Sequence, residues 1–238
     1  MEPSFIRVTV ASVTVLLCCA GASSLGAKPL PPSINGRTVV LVQRPDPGFN
    51  LVTSSGAVSA AVQAALPLHI VTPHPEIAAA GRQLMTADQI DDPAPRLGSE
   101  LLGDLVYTYN LQVPSSSPVT VSGDRELEDF RQRAHPDLIF EFYTYEWRTF
   151  YFLDLEHYDI WYYGKARLID GRTGAVMRQA KCAHKPIKTE SSPTIEGLVA
   201  DHGAKLRAAV DAAKELCLAT LRQEFALRDS PGQSEGSQ

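Results

Sequence analysis

Ala166-Arg167-Leu168-Ile169-Asp170-Gly171-Arg172-Thr173-Gly174-Ala175-Val176 sets the architecture of the second half of the chain. Upstream of its loop, Tyr158, Ile160, Tyr162, Gly164, Ala166 and Leu168 fall at every second position, the period of a strand with one face turned inward. Asp170 to Gly174 is a short polar loop with two glycines, and Ala175 to Cys182 reads as the return strand. Together these pieces predict an antiparallel hairpin. Before the hairpin, residues 137–147 alternate with Leu138, Phe140 and Phe142 on one side, which adds a further strand. After it, Ser192-Pro193 opens the strongest helix. Ile195, Leu198, Val199, His202, Leu206, Ala209, Val210, Ala213, Leu216, Cys217 and Leu221 form its apolar stripe.

The first half is mostly helical. Thr38 to Gln43 is β-branched and apolar, a buried strand that ends at Arg44-Pro45-Asp46-Pro47-Gly48. Val58 to Leu66 and Glu76 to Met85 have helical composition. Asp92-Pro93 is a helix start, because Asp accepts the free amides and Pro suits the first turn. Leu97, Leu101, Leu105 and Tyr109 then share a face. Asp124 is expected to cap a third segment running to Ala134. The order predicts an α+β fold: a mainly antiparallel sheet with a strand meander, helices packed on one side, and a long C-terminal helix.

The 238 residues are 44% hydrophobic and 21% charged, which argues against disorder, collagen or a repeat fibre. Lys and Arg number 22 against 27 Asp and Glu, a net charge of −5 without a long basic run. That balance speaks against nucleic acid as a partner. Residues 1–22 read as an export signal. Arg7 supplies the positive charge, the 13 residues from Val8 to Ala20 carry none, and Ala20-Gly21-Ala22 is an A-x-A cleavage site. A second reading uses the same residues. Leu16-Leu17-Cys18-Cys19 resembles a lipobox with Cys19 as the lipidated residue, which would tether the chain to a membrane. Both readings place the mature chain outside the cytoplasm, in the periplasm or anchored to the outer membrane. Residues 23–36, with Pro29, Pro31 and Pro32, form a flexible leader. Residues 37–228 form one α+β domain, and residues 229–238 form a disordered polar tail.

Cys182 and Cys217 are the two cysteines beyond the signal. Cys182 shares a strand face with Val176 and Ala180, and Cys217 lies on the helix stripe, so both point into one core. In an exported chain the pair predicts a disulfide; the other reading is two buried thiols. No C-x-x-C pair supports a redox motif or a zinc knuckle.

The export signal, the strand opening Pro136-Asp137-Leu138-Ile139 and the turn Leu168-Ile169-Asp170-Gly171-Arg172-Thr173-Gly174 resemble a class of bacterial outer-membrane lipoproteins. That class includes the curli-secretion channel subunits and the lipoprotein activators of penicillin-binding proteins. The likeness covers residues 136–182. The motif is a structural turn, and the resemblance implies a non-enzymatic envelope protein that assembles or docks.

Twelve of the 18 aromatic residues lie between Phe140 and Tyr163. Strand parity puts Tyr143, Tyr145 and Trp147 on one face with Glu141, and Trp161 and Tyr163 on the corresponding face with His157, Asp159, Lys165 and Arg167. Three readings compete. A helix covers this face and the polar atoms find partners there. Alternatively, the five rings Tyr143, Tyr145, Trp147, Trp161 and Tyr163 form a platform for an envelope protein or a glycan. Thirdly, the connection from Arg148 to Asp154 inserts into a membrane interface or lines a larger barrel on self-assembly.

Enzymatic chemistry has little support. His69 and His74 are an isolated pair beside prolines, and a metal site needs three or four converging ligands. His184 and His202 read as loop and boundary residues. The P-loop, G-x-G-x-x-G and H-E-x-x-H are all missing. The remaining enzymatic alternative, a periplasmic hydrolase, rests on Glu141 and Asp159 opposing each other across strands. The sequence is therefore read as an exported protein that binds or scaffolds an envelope partner. No catalytic residue, cofactor or metal is expected, and self-association and a lipid anchor count among its modes of attachment.

Overall fold

The structure, a computed structural model, describes residues 29–52, 75–151, 156–187 and 192–228. The export signal with Cys19, the helical stretch at 58–66, His69, His74 and the polar tail lie outside the described residues. In chain order the elements are β1 (Val39–Gln43), α1 (Pro75–Ala87), α2 (Ala94–Tyr109), β2 (Val119–Thr120), α3 (Asp124–Ala134), β3 (Leu138–Tyr151), β4 (Tyr158–Asp170), β5 (Val176–His184) and α4 (Ile195–Phe225).

The strands form one sheet in the order β2-β1-β3-β4-β5. β1 pairs in parallel with both β2 and β3, while β3-β4-β5 is an antiparallel meander. The sheet is therefore mixed, which corrects the expectation of a mainly antiparallel one. Helices also lie on both faces rather than one. Val39 and Leu41 enter the large core with Leu97, Leu101 and Leu105 of α2 and Leu206, Ala213 and Leu221 of α4. Val40 and Val42 point the other way, into a smaller core with Ile139, Ile169 and Leu127 of α3. A strand buried on both faces needs an apolar side chain at every position, which is why Val-Val-Leu-Val runs without alternation.

Asp92 Oδ1 accepts the Ala94 amide at the start of α2, as its position before Pro93 predicts. Asp124 does not cap α3. Gly123 precedes the helix, Asp124 is its first residue, and the Asp124 carboxylate is taken by two arginines. α4 is interrupted at Ala200 to Gly203, where Asp201, His202 and Gly203 all take positive φ. The break re-phases the stripe. His202 and Leu216 are exposed, and Leu218 and Phe225 enter the core instead. Cys182 of β5 and Cys217 of α4 form the disulfide, tying the last helix to the last strand.

The hairpin turn shows why its residues are what they are. Asp170 Oδ1 accepts the amides of Arg172 and Thr173 and the Thr173 hydroxyl, and Gly174 takes φ +74°. Asp137 binds the Thr38 amide and hydroxyl, while Arg37 donates to the Asp137 carbonyl and the Asp170 carboxylate. The turn thus locks the start of β3 to the start of β1. Gly171 sits where a Cβ would stand 1.9 Å from the Pro136 carbonyl oxygen. Gly171→Ala should lose about 2–3 kcal/mol of stability, since neither backbone can give way cheaply. Gly103→Ala, in α2 with nothing within 4 Å of the new methyl, should instead gain about 0.4–1 kcal/mol. Urea unfolding of the two variants checks both signs.

Candidate functional site

The face of the sheet opposite the large core divides into two parts. At the end near residue 139, α3 covers it through Leu127 and Phe130. Next along β3, Glu141 is fully buried and is held by Arg44 Nε at 2.7 Å and Arg167 Nε on its two oxygens. Both arginines also reach Asp124 Oδ1 from their other nitrogens. Hydrogen bonds from Arg167 and Arg44 hold the Asp124 carboxyl down at about 2. Two cations and two carboxylates thus neutralise one another beneath α3.

Beyond this network lie the aromatic rings. β3 and β4 pair residue by residue until Thr144 faces Gly164; the next pair is Glu146 with Tyr163, leaving Tyr145 as an extra residue in a β-bulge. A bulge inverts the side-chain alternation that follows it. Trp147 therefore turns into the large core, 0% exposed, with its ring edge-on to Phe49 at 5.3 Å. This corrects the placement of Trp147 among outward-facing rings. It also extends β3 to Tyr151, so Arg148 to Tyr151 is strand rather than a connection.

The structure does bring the other four residues together on one face, with Phe150 added. Tyr145 is 41% exposed and its ring lies 5.5 Å from that of Tyr163. Tyr163 neighbours Trp161 at 6.4 Å, and Phe150 stacks on Trp161 at 3.8 Å. Tyr143 lies under the Arg44 guanidinium, 4.4 Å from its ring centre. The indole nitrogens of Trp147 and Trp161 find no hydrogen-bond acceptor among the described residues. Burial pushes the Tyr143 and Tyr145 hydroxyls above the ordinary phenol range, so both are neutral donors at physiological pH.

Basic groups surround the rings. Lys185 Nζ lies 5.0 Å from the Tyr163 ring centre and 5.6 Å from that of Trp161. Lys181 lies 5.9 Å from Tyr145, and Arg148 lies 5.5 Å from Trp161. No sequence signal singled out Lys181 or Lys185. Their placement follows from the β4–β5 register, which puts Lys181 directly opposite Lys165.

Glu141 and Asp159 do not meet. Glu141 faces Arg167 and Asp159 faces Phe150, eight positions apart along β4, so the carboxylate pair needed by a hydrolase is not formed. Asp46, Asp91, Asp92 and Asp211 do line a groove of about 1240 Å³ between α1, α2 and α4, interspersed with Arg82, Arg96, Arg207 and Lys214. Asp92 accepts the Thr144 hydroxyl, and the Tyr162 hydroxyl lies 2.8 Å from the same Thr144 oxygen. Burial pushes the Asp92 carboxyl up to about 6, against the pull of the Thr144 hydrogen bond. Because the folded state holds this proton more tightly, the group stabilises the fold below pH 4. That contribution fades as pH rises from about 4 to about 6. Asp92→Asn should therefore unfold less easily than the parent at pH 7 by on the order of 2–3 kcal/mol, with the gap closing at pH 4. Urea titrations at the two pH values test the sign.

No family model matches the sequence, and no characterised protein matches it. Among solved structures the chain is loosely similar to the PelC dodecamer of Paraburkholderia phytofirmans (13% identity, 84% of this chain and 95% of that one, TM-score 0.32). It is also loosely similar to a structure assigned as a neuraminyllactose-binding hemagglutinin homolog of Helicobacter pylori (12%, 83% and 92%, TM-score 0.35). A third is the lipoprotein GNA1162 of Neisseria meningitidis (16%, 74% and 99%, TM-score 0.23). Likeness at this level decides nothing about what this chain binds.

Proposed function

We propose that the protein is an exported, non-enzymatic binding protein of the bacterial envelope that presents the β3–β4–β5 aromatic face to a partner. The observation that carries this reading is Tyr145. It is the extra residue of a bulge, 41% exposed, at the centre of a surface otherwise built from large rings and lysines. Rings that serve only the core are turned inward, as Trp147 and Phe142 are. Aromatic side chains offer large contact area at low entropic cost, the property of binding hot spots. Export rests on the uncharged segment at residues 8–20 and fits the disulfide.

Tyr145→Ala with Trp161→Ala should abolish capture of the protein's partner from envelope fractions. Thermal stability should fall by the Phe150–Trp161 and Tyr163 ring contacts and the half-buried Trp161 area, on the order of 2–3 kcal/mol, with the fold retained. Unchanged capture, or a collapse of stability, would remove the face from consideration.

A further inference from the structure

Resting on that reading, we propose that the aromatic face takes an acidic saccharide, with the exposed Tyr145 ring against a sugar face and the lysines on the carboxylates. The argument starts from charge. Among the described residues, the carboxylates of Glu141, Asp124, Glu146 and Asp159 and the basic groups of Arg44, Arg148, Arg167, Lys165, Lys181 and Lys185 meet on this side of β3, β4 and β5. Every one of the carboxylates is engaged. Glu141 and Asp124 share Arg44 and Arg167, Glu146 pairs with Arg148, and Asp159 accepts from the Ser192 hydroxyl. Lys165, Lys181 and Lys185 make no ion pair among the described residues. Among the described residues the face thus carries surplus positive charge, on a chain whose net charge is −5.

Two of these lysines are directly opposed across β4 and β5, Lys165 to Lys181. Like charges in that position repel and weaken the sheet. Nothing in the fold requires them, and an anion bound between them would relieve the repulsion. Lys185 lies four residues along from Lys181, about 13 Å at strand spacing, so the charges reach beyond one anionic group. The rings fill the space between. Tyr145 lies by Lys181, and Tyr163 and Trp161 lie by Lys185.

The arrangement separates an acidic saccharide from other polyanions. A pyranose offers a face of C–H groups that packs on aromatic rings, and its carboxylate sits at the ring edge, within reach of a flanking ammonium. An acidic peptide would use the lysines and leave the rings idle. A membrane surface would want several protruding rings, whereas Tyr145 alone is 41% exposed, Phe150 lies flat on Trp161 and Tyr163 is 8% exposed; one open ring suits one sugar face. In the free protein the Lys181 and Lys185 ammonium groups rest against ring faces, a contact weaker than a charge-assisted hydrogen bond and so readily exchanged for one.

Calorimetric titration of the full chain with oligogalacturonate and with hyaluronan fragments tests the proposal. The comparison probes are carboxyl-reduced neutral oligogalacturonate, oligoglutamate and phosphatidylglycerol vesicles. At least one acidic saccharide should bind, with affinity falling about tenfold or more for the neutral form and for Lys165→Gln/Lys181→Gln. The same lysine variant should melt no lower than the parent, because it removes a repulsion, and Tyr145→Ala should also weaken binding. Binding of neither saccharide overturns the inference, as does equal binding of oligoglutamate or of vesicles. If saccharides fail while envelope capture still depends on Tyr145 and Trp161, this inference falls and the binding-protein reading stands. If capture is also independent of them, both fall.

Discussion

Glu141→Gln should cost about 3–5 kcal/mol of folding free energy, the range for removing one member of a buried ion pair. The carboxylate is 0% exposed and supplies both oxygens to guanidiniums whose side chains are only 17% and 13% exposed. Without it, Arg44 and Arg167 face each other with only Asp124 between them. Asp124 is 74% exposed, and Asp124→Asn should cost about 1 kcal/mol or less, because water screens what it contributes. Urea unfolding of the two variants and of the double variant gives the coupling directly. A loss below about 1 kcal/mol for Glu141→Gln would mean that the network is looser than its geometry indicates. The result matters for the candidate site, since Tyr143 packs under Arg44 and takes its position from this network.

Replacing both cysteines with alanine should remove about 3–4 kcal/mol, the cost of releasing a 35-residue separation in the chain-entropy account. Both sulfur-bearing side chains are essentially inaccessible, so dithiothreitol should act only on molecules that have already opened. Protein made in a reducing cytoplasm should unfold at lower urea than protein made by secretion, and oxidation in vitro should restore the difference. Equal midpoints for the two preparations would contradict a native bridge.

Local features of this fold are readable in the chain, and non-local ones much less so. The hairpin was legible because alternation and a glycine-containing polar loop are both properties of adjacent residues. The α2 stripe of Leu97, Leu101 and Leu105 was legible for the same reason, and the disulfide followed once strand parity and helix stripe pointed inward together. The parallel pairing of β1 was missed, although a cue existed in its unbroken run of Val39 to Val42, which suits a strand buried on both faces. The inward turn of Trp147 had no such cue. It depends on one unpaired residue, and nothing about Thr144-Tyr145-Glu146 marks where a ladder will slip. The interruption of α4 was half-written in Gly203, whose φ of +70° suits glycine, but Asp201 and His202 adopt similar angles without that licence. Of the candidate site, the rings were visible as a cluster in sequence. The lysines that give it chemical character were not, because Lys181 and Lys185 acquire their neighbours only from β4–β5 register.

Tyr145 belongs to β3 but takes no place in its ladder. A side chain in that position has no ladder partner, only surface contacts with Tyr163 and Lys181, and no core volume to match. Replacement there should leave folding alone while changing what the surface presents. A single codon could therefore redirect recognition across a lineage, with the scaffold indifferent to the outcome.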